Sequence, residues 1–301
     1  MLYCIEVYSA IIRETIGRSR FGGIVVEQRY SVLMSVYEKE SPKYLRAALQ
    51  SILKQTLPPY EIILVCDGPL TAGLEQILDE FSQDITLVRL SENNGLGKAL
   101  AEGLHHCSCE WIARMDSDDI SASGRCEKQL RYIQQHPEVD ILSGTLAEFA
   151  GNALDEKEAE RNILAVKRVP ETNQKVAEYI KFRNPINHPC VMFRRQKVME
   201  AGNYQPCHLF EDYDLWIRMY KRNCVFANLD DTILYMRVNE MHRRRGGLRY
   251  AKEIFAFWTK MYRRKIISAP QYICVVAVRV IVSLLPNYIR KAVYDRKLRD
   301  H

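Results

Sequence analysis

The stretch "EWIARMDSDDIS", residues 110–121, runs from a mostly apolar segment directly into three aspartates, Asp116, Asp118 and Asp119. Carboxylates this close together repel one another, so a positive group is expected beside them. In an extended segment Asp116 and Asp118 project to the same side, while Asp119 points away. The stretch therefore predicts a buried strand that delivers two carboxylates to one site at its end.

The segments around this stretch alternate between short apolar runs and amphipathic helical patterns. The apolar runs are "YSVLMSVY" (30–37), "EIILVC" (61–66), "ITLVRL" (85–90) and "VDILSGTLAEF" (139–149). Helical stripes such as "SPKYLRAALQSILKQT" (41–56) lie between them. Continuous apolar strands separated by helices predict an α/β fold, with a mostly parallel sheet covered by helices on both faces.

Polar side chains follow three of the predicted strands. Ser35 and Tyr37 lie at the end of the first, Asp67 follows the second, and the aspartates at 116–119 follow the fourth. In sheets of this kind, ligands bind beyond the carboxyl ends of the strands. The topology therefore predicts that these side chains converge on one site.

The aspartate cluster has three interpretations. Two carboxylates with few other ligands suit Mg²⁺ or Mn²⁺, which complete their coordination with water and substrate phosphates. A solvated turn that caps the next helix is an alternative that the cluster alone leaves open. An EF-hand calcium loop is excluded, because Ile120 and Ser121 stand where an oxygen ligand and a glycine are needed.

The overall composition suits one large domain, or a main domain with an appendage: the chain has 301 residues, 47% of them hydrophobic. Residues 1–29 precede the first clear strand pattern, and we assign this extension no function. Nine cysteines are scattered without disulfide or zinc spacing, which indicates reduced, buried thiols of a cytosolic protein. The start is not typical of a signal peptide, because Glu6 interrupts its apolar run.

Positive charge is concentrated at the carboxyl end. The net charge is +6, and Lys and Arg dominate from His242 onward, which either nucleic acid or an anionic membrane surface would explain. The segment "YICVVAVRVIVSLLP" (272–286) is apolar but contains Arg279. This pattern favours a helix in the membrane interface over a spanning helix, and a helix packed on the domain is the alternative. We therefore predict that residues 248–301 form a basic, amphipathic, membrane-associating helical tail.

Five motifs occur together in a fixed order: "SVLMSVYEKESPKYLRAALQSILKQT" (31–56), "EIILVCDG" (61–68), "NNGLGKALAEGL" (93–104), "ARMDSDDIS" (113–121) and "FEDYDLWIRM" (210–219). Together they resemble family 2 glycosyltransferases, an inverting group with the GT-A fold. The pattern is similar to bacterial transferases of O-antigen and exopolysaccharide synthesis, including amylovoran-type enzymes. The resemblance covers residues 30–247 and implies a nucleotide-sugar half, 30–150, and an acceptor half, 151–247.

The resemblance implies a UDP-sugar donor and a divalent metal, Mn²⁺ or Mg²⁺. Ser35 and Tyr37 would hold the nucleotide base, and Asp67 would form a hydrogen bond with the uracil. Asp116 would face the ribose and the metal, Asp118 would bind the metal directly, and Asp119 would support it.

One position departs from the family pattern. Leu100 stands where many relatives have an arginine, so Lys98 would approach the nucleotide instead; a solvated helix lysine is the alternative. Arg244 and Arg245, in "MHRRRGG" (241–247), would close over the diphosphate, unless this segment is a solvated basic linker.

The motif "FEDYDLW" (210–216) carries the second half of the implied mechanism. An inverting transfer needs a carboxylate that deprotonates the acceptor hydroxyl, and Asp212 matches the family's base, with Glu211 as its supporting neighbour. Acids at a helix N-terminus are also favoured by the helix dipole, which is the ordinary alternative. His188 would line the acceptor pocket, although a lone histidine is more often structural.

We therefore expect transfer of a hexose or N-acetylhexosamine from a UDP-sugar to an undecaprenyl-diphosphate-linked sugar, forming a β-glycoside in surface polysaccharide. The expected location is the cytoplasmic face of a bacterial inner membrane, with no nucleic-acid partner. A sugar-nucleotide pyrophosphorylase is an alternative, but "SVYEKESP" (35–42) lacks the Gly-rich basic loop that it needs. A basic RNA- or membrane-binding scaffold would leave Asp67, Asp118 and Asp212 unexplained.

Overall fold

The structure, a computed structural model, describes residues 29–238 and 247–285. One mixed sheet dominates this part of the chain. Its strands are β1 (Tyr30–Val36), β2 (Glu61–Cys66), β3 (Thr86–Arg89), β4 (Trp111–Arg114), β5 (Ile120–Ser121), β6 (Ile141–Phe149), β7 (Ile163–Lys167), β8 (Met192–Arg194) and β9 (Phe226–Arg237).

The strand order is β3-β2-β1-β4-β8-β6-β9-β5, and β7 pairs with β6. Strands β1 to β4 pair in parallel, as do β6 and β9. Strand β8 lies antiparallel between β4 and β6, so these two run in the same direction. The predicted mostly parallel sheet is confirmed, and β8 and β9 join both parts of the sequence into a single sheet.

Helices connect the strands and cover the sheet. Their bounds are α1 (Pro42–Leu53), α2 (Ala72–Glu80), α3 (Leu96–His106), α4 (Arg125–Gln135), α5 (Glu156–Arg161), α6 (Asn173–Tyr179), α7 (Arg195–Glu200), α8 (Glu211–Tyr220), α9 (Gly247–Arg263) and α10 (Ala269–Leu284). A short 3-10 turn spans His188–Cys190. No helix in residues 29–238 or 247–285 is long and apolar enough to cross a bilayer.

Alternating side chains of β1 show why both faces of the sheet are covered. Val32, Met34 and Val36 pack in one apolar cluster, whereas Leu33 packs in the other, beside Ile63. All five are at most 1% exposed. A strand that buries both faces must be apolar throughout, which is the pattern that the sequence shows.

Three local features differ from the sequence-based expectations. The pattern "VFANLDDTILYMRV" (225–238) predicts two short strands, but residues 226–237 form one long strand, with register shifts opposite Gly144 and Thr145 that accommodate the polar pair Asp230 and Asp231. Helix α2 was not predicted. The polar segment 151–185, whose sequence predicts one helix near 171–181, also contains α5 and β7.

Candidate active site

Asp67 organises the loop that leads into α3. Its two carboxylate oxygens accept hydrogen bonds from the main-chain amides of Asn94 and Gly95, at 2.7 and 2.9 Å. Gly68 has a φ of +89°, and a β-carbon there would lie 2.7 Å from the amide nitrogen of Asn93. Asp67 therefore shapes the loop that leads into α3, and a side chain at position 68 would displace it.

The other predicted nucleotide contacts lie at the same edge of the sheet. Ser35 and Tyr37 are half-buried at the end of β1. Lys98 is exposed on α3, and its Nζ donates to Oδ1 of Asn94 at 3.2 Å. Leu100 is fully buried, so it contributes to the core and is not available to a nucleotide. Ser35, Tyr37 and Lys98 thus remain open to a ligand.

A buried arginine accompanies the first aspartate. The guanidinium of Arg114 donates to both carboxylate oxygens of Asp116, from Nη1 to Oδ2 at 3.0 Å and from Nη2 to Oδ1. Arg114 is 1% exposed, whereas the Asp116 side chain is 31% exposed. Arg114, the last residue of β4, therefore supplies part of the positive charge expected beside the aspartates.

Asp118 and Asp119 occupy different environments. Asp118 is partly buried, and burial together with the charges of Asp116 and Glu40 raises its pKa to about 7. Asp119 is 1% exposed, and burial and its neighbouring carboxylates raise its pKa well above the usual range. Glu40 reaches this cluster from the loop after β1 and accepts a 2.9 Å hydrogen bond from the hydroxyl of Ser117.

Arg237, at the end of β9, holds the aspartate loop in place. Its main-chain amide donates to Oδ1 of Asp119 at 2.9 Å, and its Nε donates to the carbonyl of Asp118 at 3.0 Å. Its guanidinium also lies 3.8 Å from the ring centroid of Tyr44. The last strand and the aspartate loop are therefore directly connected.

The aspartate cluster fits a divalent cation that is shared with a ligand. Within the described ranges, no three His, Cys, Asp or Glu side chains gather closely enough to hold a metal alone. Oδ2 of Asp119 is buried without a hydrogen-bond partner, and burial together with the negative charges of Asp116 and Glu40 raises the pKa of Asp118. The acids of the cluster outnumber the guanidinium groups of Arg114 and Arg237, and their hard oxygen ligands suit Mg²⁺ or Mn²⁺ completed by phosphate oxygens.

The predicted base is held at the start of α8. Oδ2 of Asp212 accepts from Nδ2 of Asn184 at 2.6 Å, and Oδ1 accepts from its neighbour's amide, that of Tyr213, at 2.7 Å. Burial raises the pKa of Asp212, although these hydrogen bonds and the Arg114 charge oppose the shift. A partly desolvated, oriented carboxylate suits proton abstraction.

Glu211 brings the two halves of the site into contact. Its Cβ lies 3.2 Å from where a β-carbon on Gly97 would stand, so α8 approaches the first turn of α3 closely. Burial raises the pKa of Glu211 to about 6, and its Oε2 is buried without a hydrogen-bond partner. The charges of Asp116 and Arg114 both act on Glu211. The acids at the start of α8 therefore lie beside the loop that Asp67 holds.

Asp214, two residues after Asp212 in α8, has a structural role. It is fully buried and pairs with Arg218 at 2.9 Å, Lys260 at 2.7 Å and Arg264 at 2.8 Å. Burial would raise its pKa, but hydrogen bonds from Lys260 and Arg218 outweigh that effect and lower it. The acidic first turn of α8 thus divides its tasks, because Asp214 fixes α9 while Asp212 faces the site.

His188, the predicted acceptor residue, lies in the interior of the protein. It is 7% exposed, its Nε2 is 2.9 Å from the hydroxyl of Tyr204, and its ring meets Trp216 edge-on at 6.0 Å. Burial and the charge of Arg114 hold its pKa well below the usual range. The histidine is therefore neutral and positions Tyr204. Two other predicted residues, Arg244 and Arg245, lie outside the described residues.

Four residues of the site were not identified from the sequence: Glu40, Arg114, Asn184 and Arg237. Only Arg114 carried a usable signal, because it stands two positions before Asp116 in a strand and so projects to the same side. The others come from loops or from the end of a distant strand. Only the folded chain brings them to the aspartates and to Asp212.

The described fold is that of the GT-A glycosyltransferases. The TarS protein of S. aureus, solved as residues 1–349 with UDP-GlcNAc, superposes with a TM-score of 0.58 at 19% identity, over 87% of this chain and 69% of that chain. Residues 31–202 match the profile described as "Glycosyl transferase family 2". The chain belongs to this family, which favours glycosyl transfer over the pyrophosphorylase and scaffold alternatives.

Two curated relatives are similar along nearly their whole length. A protein of Escherichia coli named UDP-Gal:alpha-D-GlcNAc-diphosphoundecaprenol beta-1,3-galactosyltransferase is 35% identical over 274 residues, 90% of this chain and 97% of that relative. The amylovoran biosynthesis glycosyltransferase AmsE of Erwinia amylovora is 35% identical over 273 residues, 89% of this chain and 98% of that relative. The resemblance to O-antigen and exopolysaccharide transferases is thus confirmed.

Proposed function

We propose that this glycosyltransferase transfers a hexose or N-acetylhexosamine from a UDP-sugar to an undecaprenyl-diphosphate-linked saccharide. The product is a β-glycoside in surface polysaccharide synthesis. The observation that carries the proposal is the contact between the two halves of the site. Glu211, next to Asp212, packs against Gly97 in the helix whose entry loop Asp67 holds.

The names of the relatives support the substrate classes. The E. coli relative is named for a UDP-galactose donor and a diphosphoundecaprenol-linked acceptor, and AmsE is named for amylovoran biosynthesis. An acceptor of this kind is anchored in a membrane, so we place the enzyme at the cytoplasmic face of a bacterial inner membrane. Residues 30–150 would bind the donor, residues 151–247 the acceptor, and residues 248–301 the membrane, with no nucleic-acid partner.

On the donor side, Ser35, Tyr37 and Asp67 would bind the base, with Lys98, Arg244 and Arg245 beside the diphosphate. Asp118 and Asp116 would hold Mn²⁺ or Mg²⁺, supported by Asp119. A bound cation would offset the negative charge on the UDP leaving group. Arg114 keeps Asp116 oriented for this role through its two hydrogen bonds.

On the acceptor side, Asp212 takes the proton of the attacking hydroxyl as its oxygen bonds to C1 of the sugar. Attack comes from the face opposite UDP, which leaves with the electrons of the C1–oxygen bond, so the configuration inverts. Asn184 orients the carboxylate through its 2.6 Å hydrogen bond. Glu211 borders Asp212, and His188 would contribute to the acceptor wall through Tyr204.

Calorimetry of UDP binding with and without Mn²⁺ tests the donor half. We expect Mn²⁺ to strengthen binding in the wild type and in Asp231→Asn, which changes an exposed carboxylate in the bulge of β9. Asp118→Asn should lose the Mn²⁺ enhancement. Equal enhancement in Asp118→Asn and the wild type would contradict this metal site.

A second variant tests the base. Asp212→Asn should bind UDP with wild-type affinity but lose about 10²–10⁴-fold in transfer rate. The readout is product formation from UDP-galactose, UDP-glucose or their N-acetyl forms with a diphosphate-lipid acceptor analogue. Unchanged turnover would remove Asp212 from the mechanism.

A further inference from the structure

The outward face of α10 is entirely apolar. Its exposed residues after the first turn are Ile273, Cys274, Ala277, Val278, Ile281 and Leu284. Ile273 is 66% exposed and Ile281 is 61% exposed. A continuous apolar stripe on the surface of a folded chain indicates an interaction site, whereas scattered exposed apolar residues do not.

The one charged residue within α10 does not interrupt this face. Nη2 of Arg279 donates a 2.7 Å hydrogen bond to the carbonyl of Phe182, and its guanidinium lies 5.1 Å from the ring centroid of Trp258. Phe182 belongs to the glycosyltransferase domain, and Trp258 belongs to α9. Arg279 therefore faces the protein, and the charge that divides the apolar segment in the sequence is removed from the outer surface.

The apolar face continues onto α9 through one aromatic residue. Tyr272 stacks on Tyr262 with ring centroids 5.3 Å apart, lies 6.4 Å from Phe255, and approaches the hydroxyl of Thr259 at 3.0 Å. Phe255 is 53% exposed and Tyr262 is 43% exposed. The two helices thus share one exposed apolar surface, which we call the hairpin face.

Basic residues predominate in the segment that forms this surface. Residues 247–285 contain a single acidic residue, Glu253, and seven basic residues: Arg249, Lys252, Lys260, Arg263, Arg264, Lys265 and Arg279. Lys260 and Arg264 pair with buried Asp214, and Arg279 faces the protein. The other four basic residues are exposed on α9 and at the turn before α10.

We propose that the hairpin face docks on an anionic lipid bilayer, with α10 lying in the plane of the interface. Exposed apolar side chains beside basic ones are the features by which an interfacial helix binds anionic lipid. The basic residues complement an anionic surface and the continuous apolar stripe suits burial among acyl chains, a combination that favours a bilayer over a neutral apolar partner helix. The inference rests on the proposed function, since a lipid-linked acceptor would be presented at the same surface.

The docking surface is rigidly connected to the catalytic side. Helix α9 is fixed to α8 through Asp214 and its pairs with Lys260 and Arg264, and Phe257 stacks on Phe210 with centroids 4.5 Å apart. Helix α8 begins at Glu211 and carries Asp212 in its first turn. A hairpin seated on the bilayer would therefore hold the base at a defined distance from the membrane.

Vesicle sedimentation with the full chain tests the surface. The wild type should bind vesicles of phosphatidylglycerol and phosphatidylcholine more tightly than vesicles of phosphatidylcholine alone. The double variant Ile273→Glu/Ile281→Glu should bind the anionic vesicles at least about tenfold more weakly, because two apolar side chains no longer enter the interface. Leu164→Glu, a similarly exposed apolar position on β7, is the matched control and should bind as the wild type does.

A charge variant tests the electrostatic part. Lys252→Glu and Arg263→Glu should each weaken binding to anionic vesicles by about fivefold or more and leave binding to neutral vesicles little changed. Wild-type vesicle binding by the double isoleucine variant would overturn the proposal. So would conversion of a dimer to a monomer by that variant in light scattering, because a second copy would then cover the hairpin face.

Transfer to a water-soluble acceptor analogue separates this proposal from the proposed function. The hairpin variants should retain that activity and lose transfer to an acceptor embedded in anionic vesicles. If neither the wild type nor the variants transfer sugar to either acceptor, the proposed function is wrong. Vesicle binding still tests the docking surface in that case. Equal transfer to the embedded acceptor by wild type and double variant would count against docking.

Discussion

The guanidinium of Arg114 bonds both carboxylate oxygens of Asp116, so a buried cation lies at the centre of the acidic site. Its charge also acts on the acceptor side, where it opposes the raised pKa of Asp212 and of Glu211. It further lowers the pKa of His188, after burial. One side chain is thus coupled to both halves of the site.

Replacement of Arg114 should affect donor binding and base strength together. Arg114→Met leaves Asp116 unpaired and removes the charge that stabilises ionised Asp212, so the acid limb of the kcat/KM profile should move to higher pH. Arg114→Lys retains the charge but loses the bidentate geometry. Compared with Arg114→Met, it should return the acid limb towards its wild-type pH more fully than it restores the rate. If Arg114→Met folds and its pH profile superimposes on that of the wild type, Arg114 does not influence the base.

Asn184 is expected to orient the base. Asn184→Ala removes the 2.6 Å hydrogen bond to Asp212, which holds the pKa of that carboxyl down against burial. The acid limb of the kcat profile should therefore shift to higher pH, with a loss of about tenfold in kcat. UDP affinity, measured by calorimetry, should not change; a variant that loses UDP affinity but keeps kcat would place Asn184 on the donor side instead.

Glu211 should reduce the stability of the fold at neutral and higher pH. Burial raises its pKa to about 6, so the folded state resists its ionisation. As the pH rises from the pKa of Glu211 in the unfolded state towards its higher pKa in the folded state, ionisation of this carboxyl lowers the free energy of unfolding. Glu211→Gln should thus be more stable than wild type by up to about 2 kcal/mol at pH 8, with the difference vanishing below about pH 4. Urea denaturation at both pH values measures it, and an equal gain at pH 4 would refute the electrostatic cause.

Arg237 should matter for both stability and metal-dependent binding. Its guanidinium donates to the carbonyls of Asp118, Gly151 and Ala153, at 3.0, 2.7 and 2.7 Å, and lysine cannot make all three bonds. Arg237→Lys should lower the free energy of unfolding by about 2–4 kcal/mol and weaken the Mn²⁺ enhancement of UDP binding. The surface variant Arg131→Lys is the control. An unchanged Mn²⁺ effect would show that Arg237 supports the fold alone.

Much of the fold was predictable because its central strands are buried on both faces. Such strands must be apolar at every position, so β1, β2 and β4 stand out from the helical stripes between them. Helix α2 and strand β7 were missed because they are short and lie near the surface. The sequence of the bulged β9 predicts two strands, because Asp230 and Asp231 interrupt its apolar pattern.

The sequence by itself determined the sheet, the family motifs and the order of the acidic groups along the chain. Local spacing is enough for these, since a strand's alternation and a helix's first turn place side chains without reference to distant residues. Only the tertiary structure decided which charges meet. Contacts such as Arg237 with Asp119, Asn184 with Asp212, and Arg279 with Phe182 join residues 28 to 118 positions apart. Burial then sets their pKa values, and burial is a property of the packed chain.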